Sequence, residues 1–170
     1  MGNTSKFGLP YPNLSDAPSG PIGVKNLATA LDALGVIGGK RRTAAGSATS
    51  TIEAIVVDTQ TLAMPANYVF ALDFYLGFTV SIAATDVSLK LRLTSVSGTI
   101  VDQTVAIGTY VSPAINHGFL RSIYKTTSTA ELNYFAGTII RQAGTGTITP
   151  VVPTSLIVTN LGPSTVVGDF

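Results

Sequence analysis

The chain has no cysteine, no tryptophan and a single histidine, His117. The first absence excludes disulfides, thiolate metal cages and a cysteine nucleophile; the last excludes any cluster of histidine ligands. Charge is scarce as well. Only 11% of the 170 residues are Asp, Glu, Lys or Arg, less than half the share of an average soluble domain. Ten basic residues face nine acidic ones, so no field steers the protein toward nucleic acid or anionic lipid, and neither partner is expected. The polar places are taken by 23 threonines and 14 serines. That usage, with abundant Val and Gly, points to β-structure. So apolar a chain suggests a surface partly covered by other subunits and predicts an oligomer rather than a monomer.

Residues 66–84 are nearly uncharged and long enough for a membrane helix, but their pattern is that of a sheet. Tyr68, Phe70, Leu72, Phe74, Leu76, Phe78, Val80 and Ile82 recur at a spacing of two, with Ala71, Asp73, Gly77, Thr79, Ser81 and Ala83 between them. Alternation of this kind turns one set into a core and the other outward. The segment predicts one long strand, or two joined at a bend near Gly77. Asp73 is the acidic residue expected to be partly buried, in an interface.

Four regions follow in order. Residues 1–20 read as an extended arm in which Pro10 and Pro12 fix the backbone between Phe7, Leu9, Tyr11 and Leu14. Such anchors predict docking on a partner, the alternative being a return onto the arm's own domain. Residues 21–35 read as a short helix, with Leu27 and Leu31 on its apolar stripe and Gly35 as its stop. Residues 36–49, with Gly38-Gly39 and the basic run Lys40-Arg41-Arg42, read as a linker. From residue 50 to 170 strand signals follow one another. Val87, Leu89, Leu91 and Leu93 alternate with polar residues, Ser97-Gly98 forms a turn, and Val101, Val105 and Ile107 mark the return. Asn116 to Gly118 reads as a loop before a strand over 119–125, and 131–141 as a strand with Leu132, Tyr134 and Ala136 on one face. About eight strands without a helix between them predict an all-β, two-sheet sandwich, jelly-roll-like, preceded by the arm and one short helix.

No chemistry is assembled by spacing. Gly39-Lys40 lacks the glycine and hydroxyl residue of a phosphate loop, Gly144-Thr-Gly146 lacks a third glycine, and Gly46-Ser-Ala is no nucleophile elbow. The nine carboxylates are dispersed. No catalytic, cofactor or metal residue is expected, and the protein is expected not to be an enzyme.

The arm and helix carry a family likeness. Gly8-Leu-Pro-Tyr-Pro-Asn-Leu-Ser-Asp-Ala-Pro-Ser-Gly-Pro21 followed by Leu27-Ala-Thr-Ala-Leu-Asp-Ala-Leu34 resembles the start of virion structural proteins of tailed phages infecting actinobacteria. Residues 87–93, Ala143-Gly-Thr-Gly146 and Leu156-Ile-Val-Thr-Asn-Leu-Gly-Pro163 extend the resemblance; Thr159 and Asn160 stand where relatives often carry acidic residues. The resemblance implies a capsid decoration (cement) or minor capsid protein on the exterior of the phage head. A minor tail or baseplate protein with a receptor- or glycan-binding β-domain is the alternative. It implies as partners the major capsid protein or other virion subunits, docked through Phe7, Leu9, Pro10, Tyr11, Pro12, Leu14, Leu27 and Leu31. Analogy with virion jelly rolls adds a homotrimer.

Overall fold

The computed structural model of the chain describes residues 2–3, 10–11, 35–82, 86–104, 110 and 114–167. Near the N-terminus, β1 (Gly2–Asn3) pairs antiparallel with β2 (Pro10–Tyr11). This pairing departs from the expectation of an arm extended throughout. The expected helix over 21–35 lies outside the described residues except for Gly35, as does the return-strand assignment of Val105 and Ile107.

The remaining strands are β3 (Gly35–Arg41), β4 (Ala54–Asp58), β5 (Leu62–Met64), β6 (Tyr68–Val80), β7 (Asp86–Leu93), β8 (Ile100–Gln103), β9 (Asn116–Lys125), β10 (Glu131–Asn133), β11 (Phe135–Ala143) and β12 (Ile148–Pro163); one helical turn, α1 (Ser164–Val167), follows. Setting aside the small β5–β10 ribbon, eight strands form two four-stranded antiparallel sheets, ordered β3-β12-β6-β9 and β4-β11-β7-β8. Counted along the chain, these are the first, eighth, third and sixth strands against the second, seventh, fourth and fifth. This is the double Greek key of a jelly roll. Only β7 and β8 are joined within one sheet, through the turn at Ser97-Gly98, where Gly98 N–H bonds the Ser95 carbonyl.

The alternation in β6 does what its spacing demands. Phe70, Leu72, Phe74, Leu76 and Phe78 are all fully buried and meet Val87, Leu89 and Leu91 of β7 and Phe135 and Ile139 of β11 in one core. Each such side chain contributes about 1.5–3 kcal/mol by leaving water. Two glycines let the sheets approach. A Cβ on Gly137 of β11 would lie 2.7 Å from the Phe74 ring, and one on Gly118 of β9 would lie 2.8 Å from Leu89. Each sheet therefore sends one large side chain into a gap left by the other. β6 runs unbroken past Gly77, and the irregularity sits in its neighbour. The β12 register shifts between Val151 and Thr154, and a Cβ on Gly77 would come within 2.8 Å of the Pro153 carbonyl oxygen.

Three expectations are corrected. Residues 35–41 of the expected linker are the edge strand β3, paired with β12. Gly38 and Gly39 are there for closeness rather than flexibility, since a Cβ would meet Leu62 at 2.4 Å and the Leu156 carbonyl oxygen at 2.8 Å. The rest of that segment is hydrogen-bonded to the sandwich, through Arg42 N to Thr154 O, Gly46 N to Pro150 O and the Thr49–Ile148 bridge. Asn116 to Gly118 is not a loop but the first part of β9, with His117 opposite Gly77. The expected strand over 131–141 is two strands. Leu132 belongs to the β5–β10 ribbon and is 76% exposed, whereas Phe135 and Ile139 of β11 enter the core. The alternation there is broken between Asn133 and Phe135, which shifts the apolar face by one residue.

Gly137→Ala is expected to destabilise the protein by about 1–3 kcal/mol, because the added methyl overpacks the Phe74 ring. In a Phe74→Leu background the same substitution should cost measurably less. Urea unfolding of the four proteins of this cycle is the measurement. Additive penalties would show that the ring and the glycine do not share the space assigned to them.

Candidate functional site

The outer faces of the two sheets are finished differently. Over β4-β11-β7-β8 a charged network covers the centre of the face, with Ile55 and Ile100 exposed beside it. Glu53, just before β4, receives hydrogen bonds from Arg92 Nε and Nη2 (2.7 Å for the latter), from Lys90 Nζ at 3.3 Å and from the Thr138 hydroxyl. The three charged side chains are only 11–13% exposed. Burial alone would raise the Glu53 pKa, but the Arg92 and Thr138 hydrogen bonds and the Lys90 charge outweigh it and hold the carboxyl at about 2. Thr138 and Ser88, on the same outward rows, are buried as well.

Other carboxylates are tied into the framework in the same way. Glu131 accepts from Tyr124 OH at 2.6 Å, Thr127 N at 2.7 Å and Asn133 Nδ2 at 2.7 Å. These bonds overcome the effect of burial and bring its pKa to about 2. Burial and the adjacent Glu131 push the Tyr124 hydroxyl up to about 12. Asp58 accepts from Lys40 and Tyr134, each at 2.7 Å. Of the basic run, Lys40 is thus paired, and Arg42 donates to the carbonyls of Ala44 and Val56. Among the described residues no three His, Cys, Asp or Glu side chains stand together as a metal site.

The outer face of β3-β12-β6-β9 is apolar and partly exposed, with Val69 and Ala71 of its β6 row buried. Cross-strand registers place Arg41, Ser155, Tyr75 and Phe119 in one row, then Gly39, Ile157, Asp73 and Arg121, then Thr159, Ala71 and Ile123, with Val36 of β3 opposite Thr159. Phe119 is 55% exposed, Ile123 38%, Ile157 39% and Val36 68%. Tyr75 OH and His117 Nδ1 share a 2.7 Å hydrogen bond, and their rings stack with centroids 5.6 Å apart. Asp73 is half-buried at the centre of the face, its Oδ1 3.1 Å from Arg121 Nε. Aromatic residues and arginine among aliphatic ones, with few other charges, make the composition of a protein contact surface. A shallow groove lined by Val36, Gly39, Arg41, Pro153, Ser155 and Ile157 runs along its β3 side; the glycine keeps its floor low.

Of the residues expected to dock, Pro10 and Tyr11 lie in β2, while Phe7, Leu9, Pro12, Leu14, Leu27 and Leu31 lie outside the described residues. The open face itself is absent from the sequence expectations. Its signal was present in β9, where Phe119, Arg121 and Ile123 alternate with Gly118, Leu120 and Ser122.

No family model and no curated protein matches the sequence. Solved structures do match in fold. An Eiger TNF from S. frugiperda is 11% identical, with a TM-score of 0.50 over 76% of this chain and 94% of that one. The VP2 subviral particle of infectious bursal disease virus is 12% identical, with a TM-score of 0.46 over 75% of this chain and 32% of that one. A xylan-binding CBM22-1 domain from Paenibacillus barcinonensis Xyn10C is 10% identical, with a TM-score of 0.33 over 74% and 86%. At 11% identity the likeness to the first of these concerns fold alone.

The Glu53 network makes stability depend on acid. Its folded pKa is depressed, so its contribution is complete above the ordinary value of 4.5 and is lost as pH falls toward about 2. The stability at stake is about 3 kcal/mol at most. Glu53→Gln should lower the melting temperature at pH 7, leaving Lys90 and Arg92 unpaired, and should flatten the acid limb. A residual slope should persist from Glu131, which titrates in the same range. Thermal melts from pH 7 to pH 2 test this; an unchanged acid limb in the variant would assign the acid sensitivity elsewhere.

Proposed function

We propose that this chain is a non-enzymatic structural protein of a phage particle, a capsid decoration protein that joins the shell through its N-terminal arm and associates as a homotrimer on the exterior of the head. The observation that carries the proposal is a jelly roll whose β3-β12-β6-β9 sheet gathers Phe119, Ile123, Ile157 and Val36 exposed on one outer face. A domain with aromatic and aliphatic side chains gathered on one exposed sheet face is suited to a place within an assembly. The resemblance to virion structural proteins supports the same reading, and its segments coincide with elements that build the sandwich. Residues 87–93 are in β7, and residues 156–163 form the second half of β12. Residues 143–146 make the passage from one sheet to the other, with Gly144 and Gly146 at φ of +83° and +112°. Scarce charge and a mean hydropathy of +0.41 favour an oligomer.

Deleting residues 1–20 should leave a protein that melts cooperatively but no longer joins particles, as measured by its amount per particle after assembly. Electron microscopy of particles carrying a tagged chain should place the label on the head. Sedimentation of the purified full chain should give a trimer. Normal incorporation of the truncated chain would refute the arm's role, and label at the tail would make the protein a tail component.

A further inference from the structure

We propose that the open face of the β3-β12-β6-β9 sheet is the receptor for the N-terminal arm, residues 1–20, of a second copy of this chain. The proposal rests on the reading of the arm as a docking device and deepens it: the arm ties copies into the trimer, and it is the tied trimer that joins the shell. Phe119, Ile123 and Ile157 are open to solvent in the single chain, so their cover is assigned to another copy. The arm has the means to reach one. The described sandwich begins at Gly35, on the edge of this same sheet, and residues 1–34 precede it. The β1–β2 pair doubles residues 2–11 back, and the 23 residues that tie it to Gly35 have a contour length of about 75 Å, whereas four strands are about 14 Å across.

Spacing and charge agree with this occupant. Phe7, Leu9 and Tyr11 recur every second residue in sequence. Phe119, Arg121 and Ile123 on β9 have the same sequence spacing and lie in extended backbone. Backbone pairing is not the mode. One edge of β2 is already taken by β1, and Pro10 and Pro12 lack the N–H groups that a ladder needs, so the arm binds through side chains laid on a face. Residues 1–20 carry one lysine and one aspartate, Lys6 and Asp16. They match a face whose central charges, Asp73 and Arg121, are paired with each other.

The absence of native cysteine makes the test direct. Full-length Leu9→Cys is mixed with full-length Ile123→Cys, oxidised, and the cross-linked peptides are identified by mass spectrometry. A disulfide between position 9 of one chain and position 123 of the other is expected. Ile100→Cys, 40% exposed on β8 of the other sheet, should give at least tenfold less. Adding Phe119→Asp to the Ile123→Cys chain should lower the yield at least tenfold while the melting temperature holds, since that ring is mostly exposed. Equal yields at 123 and 100, or none at 123, would overturn the proposal. So would a disulfide formed only within one chain by the doubly substituted Leu9→Cys/Ile123→Cys protein. Failure here with particle binding still dependent on residues 1–20 would leave the arm a docking device with a different receptor; normal incorporation of the truncated chain would remove the docking reading itself.

Discussion

The separation of the two rows of β6 is the constraint on which the rest of the structure depends. Phe70, Leu72, Phe74, Leu76 and Phe78 point into the sandwich, and Ala71, Asp73 and Tyr75 point away from it. β6 is paired on both sides, by β12 and by β9. A slip of one residue would therefore carry the phenyl rings to the outer face and Asp73 into the core. Two features hold the register. The extra residues of β12 between Val151 and Thr154 are accommodated only where Gly77 offers no side chain. The Phe74 ring fits only against Gly137 of the facing sheet. Core and candidate site are thus two faces of the same strand, and the packing that fixes one fixes the other.

Charge is used sparingly and mostly to close the protein's own surface. Glu53 draws Lys90 and Arg92 together over one sheet, Asp58 holds Lys40 beside β3, and Glu131 fastens the β5–β10 ribbon to Tyr124. Removing Glu53 would leave the mostly buried Lys90 and Arg92 unpaired, which costs more than the pair contributes over an apolar replacement. The face of β3-β12-β6-β9 has no such seal. Its central ion pair, Asp73 with Arg121, is flanked by Ile157, Tyr75 and Phe119, which hydration serves poorly.

Strict alternation was legible in the sequence, and packing by absence was not. Residues 68–80 and 87–93 became β6 and β7 because large apolar side chains at every second position have one low-energy arrangement in a half-buried sheet. β3 escaped because Gly38 and Gly39 have two opposite uses. Glycine marks flexible chain, and it also marks the place where another backbone or side chain comes too close for a Cβ. The sequence around them does not distinguish the two; the Leu62 and Leu156 contacts do. His117 was taken for a loop residue for the same reason, since Gly118 reads as a turn but in fact receives Leu89. The face of 131–141 was misassigned by one residue because the chain changes sheets near Tyr134, and no periodicity survives such a change.

The candidate site was half legible. The anchors of the arm stand out in sequence because prolines bracket them, whereas their proposed receptor is assembled from four strands that meet only through the jelly-roll order. Phe119, Tyr75 and Ser155 are distant along the chain but occupy one row. Each looks unremarkable alone: an exposed Phe, a Tyr in an alternating strand, a Ser after a proline-rich bend. Their meaning lies in the register that gathers them on one face, as Lys90, Arg92 and Thr138 are gathered around Glu53 on the other sheet. The Glu53 network covers part of one sheet, beside the exposed Ile55 and Ile100, whereas the other sheet gathers Phe119, Ile123 and Ile157 on one face around a single ion pair.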